Sequence, residues 1–194
     1  MKKYLMLLLF LFSTFSFAFS EQELIKQLQQ PQNVQGDFVQ QRYLKALPTP
    51  ITTTGAFTLI ANKGLLWHMQ TPFESITKVT PQGIMQWNNT TWVNSDKIGQ
   101  GEQIRLFLGL LSGNIDGLKS QFSTNVDGSS EKWQLKLVPN SMLMQQIFTE
   151  ILVKGGHLVE VIELHEKQGD RTVIQLLNSK QNQTLSNFVQ QSLN

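Results

Sequence analysis

The sequence predicts a mainly β protein of α+β type, an antiparallel sheet of about eleven strands carrying a few short helices. Two observations predict it. Most of the chain after residue 30 is short runs of alternating, β-branched or aromatic residues, broken by Gly, Asn, Asp and Pro at hairpin spacing. Helical apolar stripes, by contrast, occur in only three or four brief places.

The chain opens Met1-Lys2-Lys3 and runs into the apolar stretch Tyr4 to Phe12, then Ser13 to Ser20. Two basic residues, a short apolar run and the small residues of Ala18-Phe19-Ser20 read as a secretory signal peptide over residues 1–20. Cleavage is expected after Ser20, with Ala18 as the second choice. An uncleaved anchor fits less well, because the run is brief for a membrane span and charged, Gln-rich residues follow.

Residues 21–194 then form one domain large enough to bury its own core. Its first helix is expected over Glu21 to Gln30, with Leu24, Ile25 and Leu28 on one stripe, acidic residues in the first turn and Pro31 as its stop. Strands follow at 34–44, 51–60, 64–70, 74–80, 83–87 and 90–95. A second helix is expected from Glu102 to Leu111, where Ile104, Leu106, Phe107, Leu108, Leu110 and Leu111 leave almost no polar face, and Asn114 to Gln121 can add a turn. Strands at 121–127 and 131–138 come next, then a short helix over Asn140 to Gln146, then strands at 149–154, 158–166 and 170–178. The turns expected between strands are Asn62-Lys63-Gly64, Pro81-Gln82-Gly83, Asn88-Asn89, Asp127-Gly128, Gly155-Gly156 and Gln168-Gly169-Asp170. The alternation is plainest in Lys132 to Leu137, where Trp133, Leu135 and Leu137 share one face and Lys132, Gln134 and Lys136 the other. A nearly all-apolar helix beside a curled sheet reads in two ways, as a lid over a cavity or as ordinary core filling.

Composition narrows the partners. Setting aside Lys2 and Lys3 leaves the 16 basic residues at 14, against 14 acidic ones, so no charge excess recruits nucleic acid or an anionic membrane. Cysteine is absent. An exported chain without cysteine has no disulfide framework and no thiol to carry a lipid anchor, so free diffusion in the periplasm is expected.

Catalytic signatures are missing, and no enzyme activity, metal or cofactor is expected. The three histidines, His68, His157 and His165, have no ligand-type spacing. There is no Gly-x-Ser-x-Gly elbow, and Gly99-Gln100-Gly101 follows no buried parallel strand that would make it a phosphate loop. Glu160, Glu163 and Glu166 are expected on the solvent face of one late strand.

The run from Gly55-Ala56-Phe57-Thr58-Leu59 to Trp67-His68-Met69-Gln70-Thr71-Pro72-Phe73-Glu74-Ser75 resembles the periplasmic lipoprotein-carrier (LolA-like) family. In that family a Gly-led strand precedes an aromatic strand ending Trp-His-Met, then Pro and Glu-Ser. Gly36 to Gln41 is similar to its opening strand; Val159 to Glu166 and Asp170 to Leu176 are similar to its closing ones. The resemblance implies an incomplete antiparallel barrel of about eleven strands, with short helices as a lid over an apolar cavity. It also implies a periplasmic chaperone-like carrier in outer-membrane biogenesis, taking an acylated lipoprotein or other lipid cargo from an inner-membrane transporter or exporter to an outer-membrane acceptor. That role needs only a monomer.

Under this resemblance the lipid-binding candidates are Phe57, Leu59, Leu65, Trp67, Met69, Met85, Trp87, Trp92, Leu106, Phe107, Leu110 and Leu111. Strand parity puts Leu65, Trp67 and Met69 on one face and Phe57 with Leu59 on one face of the preceding strand. The family's lid latch, a basic residue followed by Pro that hydrogen-bonds the lid shut, falls here on Ala61 and Asn62. After Leu176 the chain is short and shows no clear final strand. Both departures suggest a divergent paralogue, whose cargo could be a glycolipid or another acyl compound. A lipid- or peptide-binding assembly or sensor module is the alternative, and an acyl hydrolase, needing a Ser beside a cavity His, the weaker one.

Overall fold

In the computed structural model, residues 19–95, 106 and 108–193 are described. Residues 1–18 of the expected signal peptide, the start of the expected second helix and Phe107 lie outside them. All eleven expected strands are present as one antiparallel sheet: β1 Asn33–Tyr43, β2 Ile51–Ile60, β3 Gly64–Thr71, β4 Ser75–Thr80, β5 Gly83–Trp87, β6 Trp92–Asn94, β7 Phe122–Ser129, β8 Lys132–Pro139, β9 Phe148–Gly155, β10 Val159–Glu166 and β11 Arg171–Gln181. The order is β6-β5-β4-β3-β2-β1-β11-β10-β9-β8-β7. Each half is a meander of hairpins, and the halves join where β1 pairs β11. The two outer strands, β6 and β7, do not pair with each other, so the sheet is open between them.

Cross-strand partners show how period-2 alternation builds one inner face. Phe57 sits opposite Trp67 and Leu59 opposite Leu65, while Leu65 faces Val79 and Val79 faces Ile84. In the other half Leu135 faces Val153, Leu137 faces Ile151 and Val153 faces Ile162. These residues join one apolar core. Gly55 makes room for it: a side-chain carbon there would come within 2.8 Å of the Phe38 ring and collide with the His68 carbonyl. Phe38 instead stacks on Trp67, with ring centroids 3.7 Å apart.

Helix α1, Glu21–Leu28, begins at Ser20, whose side chain accepts from the Glu23 N–H while the Glu23 carboxylate accepts from the Ser20 N–H at 2.7 Å. This reciprocal pair satisfies two of the N–H groups a helix start leaves open, and it holds the Glu23 carboxyl below its usual range. The helix ends two residues earlier than expected. Residues 106 and 108–111 are helical, and Gly113 follows with φ +68. Helix α2 is Met142–Ile147, with Ser141 as its cap. The expected turn of helix over Asn114 to Gln121 contracts to a 3-10 turn at Asp116–Leu118.

Three expectations are corrected. Asp127-Gly128 is not the hairpin turn: β7 continues to Ser129, which pairs with Lys132, so the turn is Ser130-Glu131. Glu160, Glu163 and Glu166 do not share one wet face, because residues three apart on a strand point to opposite sides. Glu163 lies on the outer face bonded to Lys154, whereas Glu166 is buried and faces Arg42 at 3.8 Å. Finally, the chain after Leu176 extends β11 to Gln181 and adds helix α3, Asn187–Ser192.

That last helix closes a second, smaller apolar cluster on the outer face. Leu66, one residue out of phase with Leu65, is buried there with Val189 and Leu193, and Ile60, Ile76, Trp92 and Leu185 pack around them. The Lys78 ammonium donates to the Ser192 carbonyl at 3.0 Å and sits 4.7 Å from the centre of the Trp92 ring. Burial under this helix pushes the Lys78 pKa down.

Candidate apolar ligand site

The concave face is covered by α1 and the helical segment ending at residue 111. Leu24 and Leu28 of α1 and Leu106, Leu110 and Leu111 of the segment are buried in the same core as Phe57, Leu59 and Leu65. Leu108 packs on its margin. The segment therefore presents leucines on more than one side to the sheet, in keeping with its lack of a polar stripe.

The end of this lid is held from α1. The Gln29 side-chain amide donates to the Gly113 carbonyl at 3.2 Å. Gly113 lies so close that a side-chain carbon would come within 2.9 Å of Leu28 Cβ, and its left-handed φ suits glycine. Further along, Lys119 pairs with Glu21 at 2.7 Å and with Asp116 at 2.7 Å, which raises the Lys119 pKa; its hydrogen bond to Asp116 is the larger cause and that to Glu21 the next. The Thr124 hydroxyl also donates to Glu21.

Among the described residues, the lid leucines 106, 110 and 111 pack into the same core as Phe57, Leu59 and Leu65. The void beneath the lid measures about 10 Å³, bounded by Leu28, Val34, Phe57, Leu59, Leu111 and their neighbours. Outside the lid a mouth of about 800 Å³ opens between the end of α1, the β2–β3 turn and the lid, and Ala61 lines it.

The sequence-derived candidates divide between the two faces. Phe57, Leu59, Leu65, Leu106, Leu110 and Leu111 are in the enclosed core, and Trp67 and Met69 are partly buried against it. Met85, Trp87 and Trp92 are not with them. Ile84 packs on the inner core, so its neighbour Met85 and then Trp87 point outward; Trp87 pairs with Trp92 across the ladder. Trp87 meets Phe188 of α3 edge-on, with centroids 5.7 Å apart, and Trp92 lies parallel to it. Gln29 and Gly113 were missed as lid contacts, since nothing local links residues so far apart in the chain.

The histidines sit apart from the enclosed face. His68 bonds Glu74 at 3.0 Å and His165 lies 3.6 Å from Glu163, both on the outer side. Among the described residues no hydrogen bond joins a serine to a histidine, and no group of acidic or imidazole side chains could hold a metal ion. No helix of the described residues is long and apolar enough to cross a membrane.

An open antiparallel half-barrel, capped by apolar helices that hide its concave face, defines a class of protein built to enclose apolar matter. A family model described as "Outer membrane lipoprotein carrier protein LolA-like" matches residues 16–186, and the chain belongs to that family. Among solved structures it is similar to a LolA superfamily protein from Nitrosomonas europaea, with a TM-score of 0.52 and 8% identity, covering 88% of this chain and 96% of that one. It is also similar to MucB in its complex with MucA from Pseudomonas aeruginosa, with a TM-score of 0.51 and 12% identity, covering 86% of this chain and 57% of that one. The chain thus corresponds to little more than half of MucB. At these identities the likeness is one of fold. None of the curated proteins matches the chain in sequence.

Proposed function

We propose that this protein is a periplasmic carrier that shields the acyl chains of a lipoprotein or another envelope lipid on the way from the inner to the outer membrane. The observation that carries the reading is the lid itself: leucines 106, 110 and 111 close an apolar concave face that has no second sheet to cover it. Each buried methylene contributes about 0.8 kcal/mol, so one long acyl chain resists leaving a membrane by roughly 10 kcal/mol. A carrier must offer equivalent apolar surface when loaded and conceal it when empty. A lid whose leucines occupy the site in place of cargo does both. The lid-to-α1 contacts, in place of a basic latch at Ala61, support a divergent member with its own donor and acceptor.

Native mass spectrometry with lipid extraction, on the protein purified from its own periplasm, tests this. A bound acylated lipoprotein or lipid is expected; a consistently empty protein that takes up no added lipid overturns it. A second reading, an assembly or sensor module that binds a peptide, draws on the structural likeness to MucB, whose structure was solved in complex with MucA. The same extraction separates the two, because that module would return peptide and no stoichiometric lipid.

A further inference from the structure

Strand direction sorts the connections of the sheet onto two rims. The β2–β3, β4–β5, β7–β8 and β9–β10 turns share one rim, where Asn62-Lys63, Pro81-Gln82, Ser130-Glu131 and Gly156-His157 are short and polar. The mouth, with Ala61 on its lip, opens at this end. The β1–β2 and β3–β4 loops, the β10–β11 turn and helix α2 share the other rim. There, large apolar side chains stand in water: Met142 is 82% exposed, Phe73 77%, Leu143 55%, Leu47 48% and Ile51 46%. One such residue is ordinary on any surface, but five gathered on one rim mark an interaction surface.

Hydrogen bonds tie these tips into one surface. The Lys45 N–H donates to the Asp170 carboxylate at 3.0 Å, joining the β1–β2 loop to the β10–β11 turn. The Lys167 N–H donates to the Ile147 carbonyl at 2.8 Å, joining that turn to the end of α2. The hydroxyls of Thr54 and Thr71 lie 2.7 Å apart and hold β2 to β3 beside the β3–β4 loop. Within α2, Met144 is buried in the core, which turns Met142 and Leu143 outward. The side chains of Lys45 and Lys167 are exposed and stand between the apolar tips, since the β1–β2 loop and β10–β11 turn separate the β3–β4 loop from α2 in sheet order. Carboxylates on this rim are engaged within the protein: Asp170 by Lys45, Glu74 by His68, and the buried Glu166 by Gln168.

We infer that this rim docks on an anionic lipid surface, with Phe73, Met142 and Leu143 entering the head-group layer and Lys45 and Lys167 facing lipid phosphates. Apolar tips on separate loops can each sink to the acyl boundary, while the ammonium groups between them stay at head-group level. Lysines beside the tips give the charge complementarity that an anionic leaflet requires. The attraction is local, since the whole chain holds 16 basic and 14 acidic residues. Docked this way, the protein keeps its mouth at the far end of the strands, clear of the bilayer. Docking of this kind does not depend on what the concave face carries.

Flotation of the exported protein with vesicles of phosphatidylethanolamine and phosphatidylglycerol tests the inference, with phosphatidylcholine vesicles as the uncharged comparison. The wild type is expected to float with the anionic vesicles and several-fold less with the uncharged ones. Phe73→Ser with Met142→Ser is expected to weaken binding about tenfold or more, with the thermal midpoint unchanged because both side chains are exposed. Leu47→Ser with Leu143→Ser is the second pair should the first disturb folding. Lys45→Gln and Lys167→Gln are each expected to weaken binding to the anionic vesicles about fivefold. Leu177→Ser, at an exposed position on β11 away from the rim, is expected to bind as the wild type does. Failure of the wild type to float, equal flotation with both vesicle types, or binding within twofold of wild type in both apolar pairs overturns the docking rim. So does a dimer that Phe73→Ser dissociates in a protein that does not float, which gives the rim to a second copy. None of these results touches the carrier reading, which is decided by what lipid extraction returns.

Discussion

The side-chain amide of Gln29 donates to the carbonyl of Gly113, 84 positions along the chain, and so ties the end of α1 to the end of the lid. Such a bond between neutral groups is worth about 0.5–1.5 kcal/mol net. That is strong enough to bias the lid closed and weak enough to be exchanged for cargo contacts. Gln29→Met keeps the bulk and removes the donor. It is expected to raise the rate of lipid uptake up to about tenfold, measured by stopped-flow fluorescence, while lowering stability by no more than the value of the bond.

Ala61→Arg restores the long basic side chain that the family resemblance places at this position. A guanidinium at the lip is expected to find lid carbonyls, because the lip is lined by Gly109, Ser112 and Asn114. Slower amide exchange across residues 108–113 and slower lipid uptake are the expected outcome. Unchanged exchange would show that the lid carbonyls are out of reach.

Leu110 and Trp87 separate the two faces of the sheet. Leu110→Ala removes a side chain buried in the enclosed core and is expected to cost about 2–5 kcal/mol in urea unfolding. Trp87→Ala, on the outer face against Phe188, is expected to leave lipid uptake at the wild-type level. Loss of uptake in Trp87→Ala with the protein still folded would place cargo on the outer face.

Two carboxylates of the outer face give the stability an acid limb. Hydrogen bonding from Lys154 holds the Glu163 carboxyl below its ordinary value of 4.5, and Lys136 does the same for Glu150. A depressed carboxyl stabilises the fold fully above its unfolded value and loses that contribution as pH falls through its folded one. Unfolding free energy is therefore expected to be flat above about pH 5 and to decline below 4.5. Lys154→Met and Lys136→Met together are expected to flatten that decline, read from urea titrations at pH 3.5 and 6.

Ser20 and Phe19 bear on processing. Ser20 caps α1 through its pair with Glu23, and Phe19 packs against the core. Cleavage after Ser20 would remove both, and loss of a serine cap costs about 1 kcal/mol. We propose that the leader is cut after Ala18, so N-terminal sequencing of the exported protein is expected to begin at Phe19.

Eleven strands were legible because their signals are local. Alternation in Lys132 to Leu137, or the turn residues Asn62 and Gly83 with their positive φ, lie within a few positions of the structure they cause. Phe57, Leu59, Leu65, Trp67 and Met69 could be grouped by parity alone, since a pleated strand sends alternate residues to one side. The leucines of the lid were equally visible as a helix with no polar stripe.

Which side of the sheet a given strand buries is another matter. Parity groups Met85 with Trp87 but does not say whether the pair faces inward, and their apolar character invites that placement. The answer came from α3, a short Gln-rich helix that folds back over β3–β6 and buries Leu66 together with Val189 and Leu193. The sequence by itself determined the strands, most of the hairpin turns and the all-apolar character of the lid segment, because each rests on contacts between near neighbours in the chain. Only the tertiary structure decided that both faces of β3 are covered, that Gln29 holds the lid and that Trp87 and Trp92 face away from it, because each depends on segments that meet only once the sheet has curled.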